Sequence, residues 1–404
     1  MTGTAAVDAG VVVDVVCLGE SMVTFLPSRA GRLADVPSFA RAIGGAESNV
    51  ACALAVAGHS VKWVSRVGAD GFGDHLIAAV AAYGVDTGAV RRDPVRPTGI
   101  YFRTATDRAT DSHEVLYYRS GSAASAMSPA NVPADDLDRA RILHLSGITA
   151  ALSPDCLALM RVLTARRPGR PLLSFDVNHR PGLGRDDPSV LLELARGADL
   201  VFVGEDEAEH AWGLHGPAAI REALPEPAVL VVKQGARGAV AYAREARPTG
   251  PARPAGTTAP GPGARPGPGR SRETATHVPA PRVDVVAPVG AGDAFAAGFL
   301  SATLRGLPVG ARLRHGHLMA AAALTVPGDL GSPPPAGPPG HHDPTAPPAP
   351  HDLPDRGSAG HDAAPLTRDH ADRLVALDDD GWGTLHLGPG WTAAAQATEE
   401  VRTP

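Results

Sequence analysis

The stretch VVAPVGAGDAFAAGFL, Val285–Leu300, decides how this chain folds. Three small residues, Gly290, Ala291 and Gly292, stand between a strand-like apolar run and a run with the apolar spacing of a helix. Asp293 falls at the helix start. Glycines let a backbone approach an anion closely, and the first turn of a helix presents unpaired N–H groups with a partial positive charge. Such a turn stabilises a phosphoryl group in transit, and a carboxylate beside it can accept a proton from an attacking hydroxyl. Taken alone, the same residues also fit a helix that Asp293 merely caps, with glycines for close packing.

Working outward, strand-like and helical runs alternate. VVVDVVCLG opens as a buried strand, and Ser48–Gly58 has helical spacing and stops at a glycine. VKWVSRVG is strand-like, and Asp74–Tyr83 is helical. ILHLSG (142–147), PLLSFDVN (171–178), DLVFVG (199–204) and AVLVVKQG (228–235) are short β-rich runs between helical segments. Ala294–Leu304 and Leu313–Thr325 read as the last two helices. This order predicts βαβ units: a mostly parallel sheet with helices on both faces. TGIYFRT (98–104) and EVLYYR (114–119) break the alternation and read as a hairpin with exposed aromatics, a flap over a site.

Composition bounds the rest. The 404 residues are 44% hydrophobic and carry a net charge of −6, ample for a core and without the basic excess of a nucleic-acid binder. The cysteines Cys17, Cys52 and Cys156 form neither a disulfide framework nor a CxxC pattern, which fits a reducing cytoplasm. No signal peptide is visible. The run Val11–Leu18 is interrupted by Asp14 and too short to span a bilayer, so no membrane association is expected. The two lysines, Lys62 and Lys233, both follow valine, so no Gly-Lys-Ser/Thr phosphate loop exists and a nucleotide must be held another way. The 46 glycines and 39 prolines concentrate in Arg247–Arg282 and from Pro333 onward. Neither stretch has hydrophobic periodicity, so 247–282 reads as a loop insertion and 333–404 as a low-complexity, disordered tail. Within that tail WGTLHLGPGW (382–391) has the makings of a short hairpin.

A second segment, IGGAESNVACALAVAG (Ile43–Gly58), places Gly44 and Gly45 before a helix with Asn49 in its first turns, which suits hydroxyl recognition. With the late Gly-Ala-Gly-Asp segment and VVKQGARG (231–238) between them, the chain resembles the ribokinase-like (PfkB) sugar kinases over roughly residues 12–332. The resemblance implies a three-layer α/β/α sandwich with a small β lid, from about 20–40 and 98–120. It implies that Gly44, Gly45 and Asn49 contact the sugar. It also implies that Gly290, Ala291 and Gly292 form the anion hole, that Asp293 is the base, and that Lys233, Gly235 and Gly238 border ATP.

GESMV (19–23), YYRSGSAASAMSP (117–129), HLSGITAALSP (144–154) and DVNHRPGLG (176–184) point within the family to kinases of 2-keto-3-deoxygluconate. That likeness implies substrate contacts from Tyr101, Tyr118, Arg119 and Arg180, with Asp329 closing the site and His317 beside the purine. A sugar acid needs a cation, and arginine grips a carboxylate with two parallel bonds. Neutral sugars such as fructose or ribose, and a non-catalytic ligand-binding relative, are the alternatives. Two departures bear on ions. Ala287 replaces a carboxylate that supports a monovalent-cation site, which puts potassium activation in doubt. In Gly204-Glu205-Asp206-Glu207 the family's Asn is lost and only Glu207 remains to act indirectly on Mg²⁺. A flap of this kind also implies a homo-oligomer, a dimer or higher.

Overall fold

The run Leu200–Gly204 is buried at every residue, the mark of a parallel strand covered on both faces. The computed structural model describes residues 12–29, 31–104, 114–180, 182–183, 187–244, 273–328, 330 and 365–393. Within them an eight-stranded sheet runs in the order Glu273–Val278, Ala239–Arg244, Val229–Lys233, Leu200–Gly204, Leu172–Asp176, Ala140–Ser146, Val13–Leu18, Val61–Val64. The six strands from Val229–Lys233 onward are parallel. The two at the other end pair antiparallel.

Alternation along the strands divides the core in two. Val15 and Cys17 face an apolar cluster with the helices Ala46–Val56, Ala291–Leu304 and Val309–Leu324. Val16 and Leu18 face a second cluster with Pro154–Thr164, Ser189–Gly197 and Gly216–Ala223. This is the expected ribokinase-like α/β/α sandwich. From the Val13–Leu18 strand the chain pairs first with Val61–Val64 on one side and later with Ala140–Ser146 on the other. In open sheets, ligands bind at such a reversal, outside the carboxyl ends of the strands.

A four-stranded sheet, ordered Phe39–Gly44, Met22–Pro27, Ile100–Arg103, Val115–Tyr118, forms the lid. The flap strands pair antiparallel, with Tyr101 opposite Tyr117 and Ile100 opposite Tyr118.

Two expectations change. The insertion was placed at 247–282, but ETATHV (Glu273–Val278) is an edge strand and Arg282–Val283 pairs with His386–Leu387. Positions 247–272 lie outside the described residues. The tail was expected to be disordered from 333. Its residues 365–393 instead form the helices Arg368–Val375 and Asp379–Gly383 and the strand His386–Leu387, with Trp382, Leu385, Leu387 and Trp391 in the core. The composition argument failed there because four large apolar side chains anchor a short segment regardless of the prolines before it. Positions 333–364 and 394–404 are outside the described residues.

Candidate active site

Two parallel strands end in Asp176 and Lys233, and the turns that open the helices of Asn49 and Asp293 come together beside them. Gly290 takes a left-handed conformation (φ 78°), which glycine adopts without strain, and starts the Ala291–Leu304 helix with Asp293 in its first turn. Gly45 starts the Ala46–Val56 helix. A Cβ there would lie 2.4 Å from the Glu20 carbonyl oxygen, so only glycine permits this approach.

The two turns meet at Asp293. The Asn49 side-chain amide donates to Asp293 Oδ2 at 2.9 Å, and Asn178 donates to Oδ1 at 3.4 Å. Neither asparagine's Oδ1 has a donor among the described residues. Asn178 has φ 41°, the one described non-glycine residue with positive φ. Asparagine tolerates that region, and such backbone is often kept at functional sites. Burial pushes the Asp293 carboxyl up to about 7. The Asn49 bond, Arg180 and Lys233 pull it down, and the neighbouring Asp176 adds to the rise.

Lys233 ends its strand and points at the same spot. Its Nζ lies 2.9 and 3.1 Å from the two oxygens of buried Asp176. A Cβ on Gly292 would come within 3.4 Å of that ammonium, so Lys233 rests against the Gly290–Asp293 turn. Burial alone would lower its pKa, but Asp176 and Glu207 outweigh that and hold it above the ordinary lysine value. Glu207 sits behind, accepting from the Gly204 amide at 3.1 Å. Burial raises its pKa, against the pull of Lys233. A cleft of about 350 Å³ opens beside Lys233 and Gly235, lined also by Glu205, Asp206, His215 and Arg237. Gly238 packs beneath, where a Cβ would overlap the Val278 carbonyl.

The lid supplies a different set from the expected one. Side chains alternate along a strand, so residues two apart share a face. Tyr101 and Tyr117 face each other with rings 5.5 Å apart, and the Arg119 guanidinium lies 5.6 Å from the Tyr117 ring. Tyr118 does not join them. It stands on the opposite face, edge-on to Phe102, and is 58% exposed. Arg119 forms a buried ion pair with Glu20, while its Nε has no acceptor among the described residues. Arg180 is exposed at the mouth, near enough to lower the Asp293 pKa. Asp329 lies outside the described residues.

His317 sits in the core on the Val309–Leu324 helix. It is buried, donates from Nε2 to the Val278 carbonyl at 3.1 Å, and sits edge-on to Phe295. Burial holds it down to about 4, a neutral imidazole in the core.

Asp176, Asn178, Glu20 and Tyr117 were not singled out in the sequence. The first two stand in DVN, at the carboxyl end of a parallel strand, and position alone could have flagged them. Tyr117 needed strand periodicity counted back from Arg119.

A family model described as pfkB family carbohydrate kinase matches residues 13–336. The chain belongs to the pfkB family of carbohydrate kinases. It is 33% identical over 325 residues to the 2-dehydro-3-deoxygluconokinase of Bacillus subtilis, covering 78% of this chain and 91% of that one. It is 33% identical over 245 residues to fructokinase-1 of Oryza sativa, covering 59% and 75%. A sugar kinase of Pyrococcus horikoshii, solved in complex with ATP, superposes with a TM-score of 0.63 at 25% identity, covering 78% of this chain and 93% of that one. The chain is therefore a sugar kinase, a phosphotransferase with an alcohol group as acceptor. Among the described residues, no helix is long and apolar enough to cross a membrane.

Proposed function

We propose that this kinase transfers the γ-phosphoryl group of ATP to a sugar acid, 2-keto-3-deoxygluconate, at its 6-hydroxyl. Asp293 carries the phosphoryl-transfer reading, and the exposed Arg180 beside it supports an acidic sugar. The Asp293 carboxyl is pushed to about 7, it receives two asparagine amides, and it adjoins a glycine turn and a fixed ammonium. A base with a pKa near the working pH transfers protons efficiently.

Asp293 takes the proton as the sugar oxygen attacks phosphorus. The bond to the bridging oxygen breaks and ADP leaves. Positioning and charge stabilisation supply most of the rate in such transfers. Backbone N–H groups of Gly290, Ala291, Gly292 and Asp293, with Lys233, receive the phosphoryl oxygens. Gly44, Gly45, Asn49 and Asn178 hold the sugar hydroxyls, the asparagines through their free Oδ1 atoms. Arg180 and the free edge of Arg119 take the carboxylate, and Tyr101 and Tyr117 exclude water.

Gly235 and Gly238 border the nucleotide beside the 350 Å³ cleft. No cluster of three acidic or His/Cys ligands exists among the described residues. That suits Mg²⁺ carried in by ATP, which takes most of its ligands from phosphates and water. Glu207 would hold it through water, and the ion would neutralise charge developing on the phosphates. Ala287 offers no side-chain oxygen, so potassium is left out of the proposal. On the face away from Tyr101 the outer flap strand exposes Leu116 and Tyr118, which supports a homo-oligomer joined there. The buried free cysteines support a cytoplasmic setting.

A second reading, a neutral-sugar kinase of the fructokinase type, is favoured by the Glu20 partner that already occupies Arg119. ATP consumption with ketodeoxygluconate, gluconate, fructose and ribose separates the two. Preference for fructose by kcat/KM would overturn the sugar-acid assignment.

A further inference from the structure

Residues 365–393 lie beyond the stretch that the family model matches, yet they bind the elements that present Asp293 and its glycine turn. The His386–Leu387 strand pairs parallel with Arg282–Val283, and the Asp284 amide donates to Leu387 O at 3.0 Å. His386 Nε2 lies 2.8 Å from Asp284 Oδ1. Six residues further on is Gly290. Between them, the Val286 and Ala287 amides both donate to Leu324 O. The lead-in to the anion hole therefore has two supports, one from the helix Val309–Leu324 and one from the C-terminal segment.

Trp382 supplies a second route. Its indole N–H donates to Pro279 O at 2.9 Å, one residue past the Val278 carbonyl that packs on Gly238. Its ring lies 6.5 Å from His317, which lies 5.2 Å from Phe295. Phe295 is two residues from Asp293, on the same helix. The Arg314 guanidinium covers the indole at 4.9 Å, and Trp382 is 1% exposed. One side chain thus touches the bend beneath the nucleotide side and, through one imidazole, the helix of the base.

We propose that Asp378–Leu387 is a positioning clamp for the phosphate-handling turn, with Trp382 and His386 as its two contacts. The proposal rests on the kinase reading. Misplacement of reacting groups by about 1 Å costs roughly 10²-fold in rate, so a support for this turn acts on turnover without touching substrate. A residue that only stabilises the fold would change melting and leave the kinetic constants of the folded enzyme alone.

The test compares Trp382→Ala, Trp382→Phe and His386→Ala with Trp391→Ala, a buried tryptophan of the same segment that packs on His370 instead. Trp382→Ala should lower kcat and raise KM for ATP, each about tenfold, a fraction of the cost of full misplacement. KM for the sugar should stay nearly unchanged. Trp382→Phe keeps a ring against His317 but loses the bond to Pro279 O, so it should fall between Trp382→Ala and the wild type, and His386→Ala, at an exposed pair, should show the same pattern more weakly. Trp391→Ala should lower the melting temperature with near-wild-type constants. Amide hydrogen exchange over 282–293 should accelerate in the Trp382 and His386 variants alone. Exchange is read without turnover, so it judges the clamp even if the wild type phosphorylates none of the sugars tried. Unchanged exchange there, or kinetic constants of Trp382→Ala matching those of Trp391→Ala, would overturn the proposal.

Discussion

Two helices in this protein begin alike and end up with opposite chemistry. Ala46–Val56 follows Gly45 and carries Glu47 in its first turn. Ala291–Leu304 follows Gly290 and carries Asp293 in its first turn. In both, burial pushes the carboxyl above its ordinary range. Glu47 is fully enclosed. Ser146 and Thr149 hydroxyls donate to one oxygen at 2.8 and 2.7 Å, and the other lies where a Cβ on Gly19 would be. Asp293 keeps a partly open face, two amide donors and a lysine against its turn. A buried acid at a helix start is therefore not itself a catalytic group. An open side and a nearby fixed cation separate Asp293, the base we propose, from the enclosed Glu47.

Removing the base tests that contrast most severely. Asp293→Asn should reduce kcat by about 10²–10⁴, the usual contribution of a general base, while calorimetry still detects sugar and ATP binding. The pH profile carries the same claim. Asp293 must be deprotonated to act, so wild-type kcat/KM should fall as pH drops below about 7. A flat profile from pH 5 to 8 would remove Asp293 from the role.

Lys233→Met comes next. Losing the fixed charge that we propose receives the phosphoryl oxygens should cost about 10²-fold in kcat, as loss of one oxyanion donor does. Lys233 also pulls the Asp293 pKa down and balances Asp176. Without it the acidic limb should move to higher pH. A rate loss with an unmoved limb would mean that Lys233 only holds Asp176 in place.

The sandwich was legible because its strands are near-continuous apolar runs, and parallel strands covered on both faces leave that trace. The Gly45 and Gly290 turns were legible as helix starts because few residue types fit a tight backbone approach or a left-handed conformation. Three features were not. Tyr117 rather than Tyr118 shares a face with Tyr101, a matter of strand register that aromatic content does not reveal. Arg119 is held by Glu20, a partner about a hundred residues away that no local pattern announces. The C-terminal segment looked like part of a Pro-rich tail because Trp382 and Trp391 are isolated in sequence, and only the fold gathers them against the core.

Arg180 should show a smaller effect and a different signature. Arg180→Ala should raise KM for a sugar acid about 10–100-fold, the worth of one charge-assisted hydrogen bond, with little change in KM for ATP. Fructose, having no carboxylate, should be used equally well by variant and wild type well above pH 7, where Asp293 is ionised with or without Arg180. Equal losses with both sugars would leave Arg180 a general electrostatic neighbour of Asp293 and favour the neutral-sugar reading.

The smallest kinetic effect belongs to the other half of the comparison. Glu47→Gln keeps the size of the side chain and removes its ability to ionise. It should leave kcat and both KM values within about threefold, less than 1 kcal/mol in the barrier, because the enclosed carboxyl faces no substrate. Its effect should appear in stability instead. Glu47 is raised above the ordinary value of 4.5 in the folded state, so folding favours its protonated form. The stability that this acid contributes is complete below about pH 4.5 and is lost as pH rises through its folded pKa. Glutamine has nothing to lose across that window. Melting temperatures measured from pH 4 to 8 should therefore fall less for Glu47→Gln than for the wild type. Parallel pH profiles would mean that Glu47 is ionised in the folded protein. A large loss of kcat would mean that the two glycine-turn acids act together, and the division between base and structural acid would not stand.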